Sequence, residues 1–459
     1  MISYYIILFL LCNSLRCVKG LKEPVCRDIA EIGFVILSQP NEYHNNLAEQ
    51  LKQNILDQVL KLGCKEEINI YKSHEDFGDI LGHWTVIPLF KKLSEFKNLK
   101  WIFFLEDQTH VNVQKMVKTM SSYNSSQDIF AGHALRDLNP TIIHHFATTD
   151  GDSVILYPHF STGFFISFSL IMKLTGKCKD CLFSIDPKYE LAKFIWENSN
   201  IKIIHELHLC LRKNTDACAT WITGEFPECG PSISPKQIFV AVKTCKKFHK
   251  DRVKVLKTTW GPEVENLLLF SDAEDQSIPT MQLNVKNVDV GHCEKTLSII
   301  KLFVSSDISF DWLTIVDDDT LLSFPRLIKL LSCYNSTDDV VIGERYGYSI
   351  SNSFGYNYPT GGSGMIFSRP SLEKLITHCQ CPSIDSPDDM IIGVCLKTLN
   401  IPLTHSPFFH QARPTDYSPL FLAPIKHISF HKHWMIDPYA VYEEWLQDNH
   451  IAKIKHSEL

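Results

Sequence analysis

Three consecutive carboxylates, Asp317, Asp318 and Asp319, follow the apolar run Trp312-Leu-Thr-Ile-Val316. Like charges this close repel each other by on the order of 1 kcal/mol or more per pair, so a cluster fixed at a strand end calls for a compensating cation. Ligation by oxygens suits Mn²⁺ or Mg²⁺. A solvated acidic turn is the alternative, but the apolar strand before the triplet and the helical pattern after it favour the metal site. A second acidic pair, Asp388-Asp389, follows Pro387 at the head of the apolar stretch Met390-Ile-Ile-Gly393. Carboxylates there can cap a helix and meet its dipole, or one can take a proton as a general base. Asp388 is read as the cap and Asp389, one residue further in, as the base.

The segment Lys243-Thr-Cys-Lys-Lys-Phe-His-Lys-Asp-Arg252 can bring cations and a helix N-terminus to an anionic ligand, or can be a basic exposed helix face. Beside a metal, a phosphate-bearing ligand accounts for both features. Thr360-Gly361-Gly362-Ser363-Gly364 lacks side chains at three positions, which makes a tight turn or lets backbone approach a ligand closely. Histidines gather late, at His405, His410, His431 and His433. Each taken singly is more often structural, yet a metal held by carboxylates frequently accepts one imidazole.

The elements that must position these groups occur twice. Trp101-Ile-Phe-Phe-Leu-Glu-Asp-Gln-Thr109 matches Trp312-Leu-Thr-Ile-Val-Asp-Asp-Asp-Thr320 at an offset of 211, which also superposes Tyr123-Asn124-Ser125 on Tyr334-Asn335-Ser336. Tyr157-Pro158 with Gly163 answers Tyr358-Pro359 with Gly364 at an offset of 201, and Tyr43-His44 falls on Phe248-His249. Each half opens with an apolar strand, Gly33–Leu37 or Ile238–Val242, and a second such strand leads into the acidic triplet. Helical spacing follows at Val253, Leu256 and Trp260, and again at Leu327, Leu330 and Leu331. Alternation of this kind predicts an α/β fold with a largely parallel sheet in each of two domains, 21–232 and 233–455, related by duplication. In such sheets ligands bind beyond the carboxyl ends of the strands, where 317–319 stand.

Length and composition fit an ordinary globular protein: 459 residues, 44% hydrophobic and 21% charged. A net charge of -7 without a long basic block argues against a nucleic-acid partner. Residues 1–20 read as a cleaved signal peptide too short to span a bilayer, with an uncleaved anchor as the alternative because no basic residue precedes the apolar run. The tail His456-Ser-Glu-Leu459 has the form of a retrieval signal read by a receptor in the endoplasmic reticulum. Without Cys12 and Cys17, thirteen of the 15 cysteines remain, which suits an oxidising compartment and leaves at least one unpaired thiol. Cys178 and Cys181 are read as disulfide partners, and Asn124 and Asn335 as N-glycosylation acceptors.

Taken together, Val242-Lys-Thr244 with Phe248-His249 and Arg252, the strand ending in Asp317-Asp-Asp319, Thr360-Gly-Gly-Ser-Gly364, Pro387-Asp-Asp389 and Ser406-Pro-Phe-Phe-His410 resemble the Fringe-like β1,3-glycosyltransferases. Gly343-Glu-Arg-Tyr-Gly-Tyr348, His405-Ser-Pro-Phe-Phe-His-Gln-Ala-Arg-Pro414 and Phe430-His-Lys-His-Trp434 resemble the branch that extends O-linked fucose on thrombospondin type 1 repeats. That branch also has a duplicated organisation and a retrieval-type tail. The resemblance implies a GT-A-like (Rossmann-like) fold, UDP-glucose as donor, Mn²⁺ or Mg²⁺, and inversion at the anomeric carbon to give glucose-β1,3-fucose on folded repeats. It implies that Asp319, supported by Asp317, binds the metal, and that Asp389 takes the proton of the fucose 3-hydroxyl. Thr244, Arg252, Asp272, Lys295 and Asp318 carry over as nucleotide contacts, and Gly361, Gly362 and Gly364 as the loop beside donor and acceptor. The metal histidine follows a Ser-Pro-aromatic-Phe segment in one group of relatives, giving His410, the preferred choice; in another it comes from a late strand, giving His431.

The first half departs from this pattern, with Glu106-Asp107-Gln108 in place of the triplet and only Glu190 to answer the second pair. It is expected to be non-catalytic and to present the protein acceptor. The rivals are a lumenal carbohydrate-binding protein that has lost the chemistry, which the intact carboxylates of the second half oppose, and a transferase using UDP-N-acetylglucosamine or UDP-galactose.

Overall fold

The computed structural model describes residues 25–143, 155–177, 183–213, 215–278, 280–306, 310–350 and 352–448. The expected leader, the terminal tetrapeptide and the Cys178/Cys181 pair lie outside the described residues. Among the described residues no helix is long and apolar enough to cross a membrane.

The chain divides into two compact units: one takes residues up to Arg136, then 152–180 and 187–223, and the other takes 137–151, 181–186 and 224 onward. The expected boundary at 232/233 therefore falls at 223/224, and two short stretches of the first half join the second unit. One covalent reason is the Cys229–Cys333 disulfide, which ties the segment after Gly224 to the second unit. Among the described residues four further disulfides are Cys26–Cys64, Cys210–Cys218, Cys293–Cys381 and Cys379–Cys395, and Cys245 is a free thiol.

In the main sheet of the first unit the strands are β1 (Ile32–Leu37), β2 (Asn69–Lys72), β3 (Trp101–Glu106), β4 (Phe130–Gly132), β5 (Phe164–Ser167) and β6 (Ile204–His205), in the order β6-β4-β5-β3-β1-β2. Trp101 to Leu105 are all buried, the continuous apolar run expected of a strand covered on both faces. The helix α1 (Glu42–Leu62) starts on the side chain of Asn41 and stops at Gly63, whose φ of 82° is a left-handed conformation that glycine adopts without steric cost. Its buried residues His44, Ala48, Leu51, Ile55 and Val59 recur at helical spacing and face the sheet.

In the main sheet of the second unit the strands are β7 (Ile238–Lys243), β8 (Asn266–Ser271), β9 (Thr280–Gln282), β10 (Trp312–Asp317), β11 (Val341–Gly343), β12 (Met365–Ser368) and β13 (Leu403–His405), in the order β9-β8-β7-β10-β12-β11-β13. Leaving out β9, both order and strand directions repeat those of the first unit. The sheet is not wholly parallel, because β12 runs antiparallel to both β10 and β11. Thr360–Gly364 delivers the chain to β12 at the carboxyl end of β10, so the strand must run back through the sheet.

Four helices matter for the site: α2 (Arg252–Thr258), α3 (Cys293–Ser305), α4 (Phe324–Leu331) and α5 (Asp388–Thr398). Val253 and Leu256 of α2 are buried; Trp260 lies beyond the helix end and donates its indole N–H to the Thr320 carbonyl at 3.0 Å. The core beneath β7 and β10 includes Phe303 of α3, packed edge-on or tilted against Phe239, Phe270 and Phe310. Burying a ring of this size contributes roughly 1.5–3 kcal/mol. That packing fixes α3, and with it the polar groups α3 sends to the site.

Candidate active site

The parallel register of β7 and β10 pairs Lys243 with Asp317, so the last residues of the two strands emerge side by side. Lys243 is buried, and its Nζ stands 3.0 Å from Asp317 Oδ1 and 2.5 Å from Asp388 Oδ2. Burial opposes its charge, but the two carboxylates outweigh that penalty and hold its pKa above the usual lysine value. Thr296 of α3 donates to the same Asp388 oxygen at 2.6 Å. Burial pushes the Asp388 pKa up, yet Lys243 and the Thr296 hydroxyl bring it below the ordinary carboxylate value.

Asp388 is therefore not the cap that its sequence position suggests. Pro387 holds the cap position, and Asp388 is the first helical residue, with Oδ1 accepting the Asp389 N–H at 2.9 Å. A buried lysine is a stronger partner than the helix's own amides. Asp389 has the opposite environment: burial and the neighbouring charge of Asp388 raise its pKa to about 7, only partly offset by N–H groups from Met390 at 2.7 Å and Gly361 at 3.4 Å. Adjacent carboxyls with pKa values driven apart are the arrangement that separates a structural anion from an acid–base group.

The rest of the triplet is bound from the other side. Asp318 Oδ2 accepts from the Thr244 hydroxyl at 2.7 Å and Oδ1 from Arg252 at 2.9 Å; burial nonetheless lifts its pKa to about 6. Arg252, stacked over Phe248 at 3.8 Å, also reaches Asp319 Oδ2 at 3.0 Å. Burial acts on Asp319 as well, but His431 and Arg252 outweigh it and hold the pKa at about 2. Lys295 of α3 donates to the Thr244 carbonyl at 2.8 Å, and Asp272, just past β8, accepts the Lys246 N–H at 2.7 Å. Thr244, Arg252, Asp272, Lys295 and Asp318 thus form one connected rim along the ends of β7, β8 and β10.

Among the described residues, Asp317, Asp319 and His431 can place one ligand atom each within 4.8 Å of one another. His431 Nε2 lies 3.0 Å from Asp319 Oδ1 and 3.6 Å from Asp317 Oδ2. Two carboxylates and one imidazole suit Mn²⁺, and also Mg²⁺ if further oxygens come from a ligand. The ring of His431 lies over Gly362, where a Cβ would stand 2.2 Å from Nδ1, so the glycine is required by the histidine. Gly361 faces Lys243, Asp388 and Asp389, and Gly364 turns the chain with φ +105° into β12.

This geometry sets His431, rather than the preferred His410, beside Asp317 and Asp319. Phe409–His410 and Ser429–Phe430 form a parallel pair that registers His410 with Phe430, and the two rings stack at 4.8 Å. His410 Nε2 shares a 2.8 Å hydrogen bond with His427 Nδ1, whose other nitrogen meets the Leu422 carbonyl at 3.0 Å. His431, one residue past that register, turns to the opposite side and meets the carboxylates. His405 accepts the Arg345 N–H, and the backbone N–H of His433 donates to the Asp319 carbonyl.

The corresponding positions of the first unit have a different chemistry. Register pairs Leu37 with Glu106 where the second unit pairs Lys243 with Asp317, so a leucine stands in place of the buried lysine. Asp107 is taken up by His44 at 2.7 Å, and Glu106 by the Ser161 hydroxyl. Asn124 and Asn335 both sit exposed in turns that follow a helix, each accepting a backbone N–H two residues on.

A family model described as Fringe-like matches residues 50–194 and 233–450. The chain is 43% identical over 428 residues to the mouse protein named beta-1,3-glucosyltransferase, covering 91% of this chain and 87% of that one. Identity to the human protein of that name is also 43%, over 91% and 85% of the two chains. The chicken beta-1,3-N-acetylglucosaminyltransferase lunatic fringe is 31% identical over 205 residues, 39% of this chain and 56% of its own. With matches on this scale, and strand ends that carry two carboxylates, a histidine and a buried acid pair, the chain belongs to the Fringe-like family of β1,3-glycosyltransferases.

Proposed function

We propose that this chain is an inverting β1,3-glucosyltransferase that moves glucose from UDP-glucose to the 3-hydroxyl of O-linked fucose on folded thrombospondin type 1 repeats. The observation that carries this reading is the convergence of Asp317, Asp319 and His431 beside a buried Asp389 whose pKa is raised to about 7. The mouse and human beta-1,3-glucosyltransferases, alike over most of the chain, support glucose as the sugar.

Asp317, Asp319 and His431 would hold Mn²⁺ or Mg²⁺, which when bound neutralises charge developing on the departing UDP. Asp389 accepts the proton of the attacking hydroxyl, a role that a near-neutral pKa serves well because a substantial fraction of the group is ionised at neutral pH and is still basic. Lys243 keeps Asp388 ionised, and that fixed negative charge in turn keeps Asp389 basic. Arg252, Thr244, Asp272, Lys295 and Asp318 form the rim against which the nucleotide rests, and Gly361 and Gly362 let the loop backbone approach donor and acceptor. The two units arose by duplication, and the first, with Leu37 and a His44–Asp107 pair, has no transfer chemistry and presents the protein acceptor. Residence in the endoplasmic reticulum lumen, return there by a retrieval receptor and glycosylation of Asn124 and Asn335 belong to the same reading, which the five disulfides among the described residues support.

The test is a donor panel. Purified protein with Mn²⁺ is given UDP-glucose, UDP-N-acetylglucosamine or UDP-galactose and a folded repeat with or without O-fucose. Transfer from UDP-glucose alone, only to the fucosylated repeat and abolished by chelator, is expected. Transfer from another donor alone overturns the donor assignment, and binding of the fucosylated repeat without transfer from any donor overturns the enzymatic reading.

A further inference from the structure

Beside Asp389 the second unit carries an aromatic ladder that the chemistry above does not use. Arg345–Tyr348 and Tyr356–Pro359 form an antiparallel hairpin in which Tyr346 faces Tyr358 and Tyr348 faces Tyr356. Ring centroids are 6.0 Å apart in the first pair and 5.4 Å in the second, and Tyr356 lies 6.3 Å from Tyr358. The inner pair is buried and the outer pair half-buried. Phe354, in the turn that joins the strands, is 64% exposed. The ladder thus runs from the core to solvent.

The hairpin is seated on the helix that carries the base. At Gly393 of α5 a Cβ would stand 2.5 Å from the Asn357 carbonyl oxygen and from Tyr358 Cβ, and 3.1 Å from Tyr356 Cδ2. Met390, next to Asp389, packs on the same tyrosines, and Val394 one turn later is 39% exposed. Tyr356 is close enough to Asp389 for that carboxylate's charge to raise the phenol pKa, after burial and Tyr348. The strand then runs directly through Pro359 and Thr360 into Gly361, whose N–H meets Asp389.

The exposed tip is also held in shape. Lys397 of α5 donates to the Ser353 and Gly355 carbonyls, and a Cβ at Gly355 would stand 1.9 Å from the Ser349 carbonyl oxygen. Phe354 keeps most of its ring in water on a clamped turn and so gains little from burial there. Rigid aromatic surface already in place does benefit binding, since little conformational entropy is lost when a partner covers it.

Resting on the reading of the acceptor given above, we propose that Tyr356 and Phe354 form the acceptor platform: Tyr356 lies against the apolar face of the fucose whose hydroxyl meets Asp389, and Phe354 touches the polypeptide that bears it. A 6-deoxy sugar suits the first position, because its methyl group and axial C–H bonds give it a face that an aromatic ring can cover. A folded repeat supplies the second contact, and a free fucoside does not.

The experiment compares wild type, Phe354→Ala, Tyr356→Ala and Tyr356→Phe, with binding of a fucosylated repeat, KM and kcat for that repeat and for an aryl fucoside, and hydrolysis of UDP-glucose without acceptor. Phe354→Ala is expected to weaken binding of the repeat and raise its KM at least tenfold, leaving KM for the fucoside, kcat and donor hydrolysis unchanged. Tyr356→Ala is expected to raise KM for both acceptors, and Tyr356→Phe to restore it. Unchanged affinity of Phe354→Ala for the repeat, or equal KM changes for repeat and fucoside in that variant, overturns the platform and leaves the transferase reading standing. A wild-type protein that neither binds nor modifies the fucosylated repeat overturns both.

Discussion

Replacing Lys243 by methionine isolates the electrostatics that hold the site together. The lysine is buried and neutralises two carboxylates, Asp317 at 3.0 Å and Asp388 at 2.5 Å. Methionine fills similar volume, so the loss is chiefly one of charge. Removing one partner of a buried ion pair costs about 3–5 kcal/mol because the other is left uncompensated. At about 2–4 °C per kcal/mol for a unit of this size, the melting transition should fall by about 6–20 °C at pH 7.5. The pH dependence should change sign. In the wild type the depressed Asp388 pKa gives stability that is present above the unfolded carboxylate pKa and lost as pH falls through the folded one. In Lys243→Met the same buried carboxyl has its pKa raised, so the penalty is full at neutral pH and shrinks as pH falls towards the unfolded value. The assay is thermal unfolding of both proteins between pH 5 and 8. A shift under about 2 °C at pH 7.5, or a destabilisation that stays constant across this range, would refute the assignment of Lys243 as the cation of the site.

Other outcomes follow from the same geometry. The rate of transfer should show an acid limb near pH 7, because Asp389 must be deprotonated to accept a proton and its pKa is raised to about 7; a kcat/KM profile flat down to pH 5 would exclude it as the base. Gly362→Ala should push the His431 ring out of place and weaken Mn²⁺ binding by roughly 10–100-fold, read by titration calorimetry without substrate. His431→Ala should lose Mn²⁺ affinity and keep the fold. His410→Ala should keep Mn²⁺ affinity and lose about 1–3 kcal/mol of stability, because the buried Nδ1 of His427 loses its partner. The reverse pattern for the two histidines would restore His410 as the ligand.

Much of this arrangement is legible in the sequence where one local pattern decides it. The unbroken apolar run into Asp317 marks a buried strand, and strand ends are where charged side chains reach a ligand, so the triplet is found without coordinates. The position of Asp389 in the first turn of an apolar helix is legible likewise. What one segment cannot reveal is pairing between segments. Lys243 reads as one of several cations in a basic stretch, and only the register Lys243 to Asp317 makes it the central counter-ion. His410 and His431 each follow an apolar strand residue, and the parallel register that sets His410 against Phe430 decides which ring turns inward. The role of Asp388 is hidden for the same reason, since the lysine it meets is 145 residues away. The described parts of the two stretches carried by the second unit, 137–143 and 183–186, have no mark in local pattern at all.

The central claim is that Asp389 deprotonates the acceptor for inverting transfer from a donor bound at Asp317, Asp319 and His431. It is tested most directly by incubating wild type and Asp389→Asn with UDP-glucose, Mn²⁺ and an O-fucosylated repeat, and reading the new anomeric proton by NMR. Wild type should give a single β-linked glucose on the fucose 3-hydroxyl, and Asp389→Asn a rate about 10²–10⁴-fold lower at unchanged affinity for UDP-glucose. An α-linked product, or a variant as fast as wild type, would contradict it.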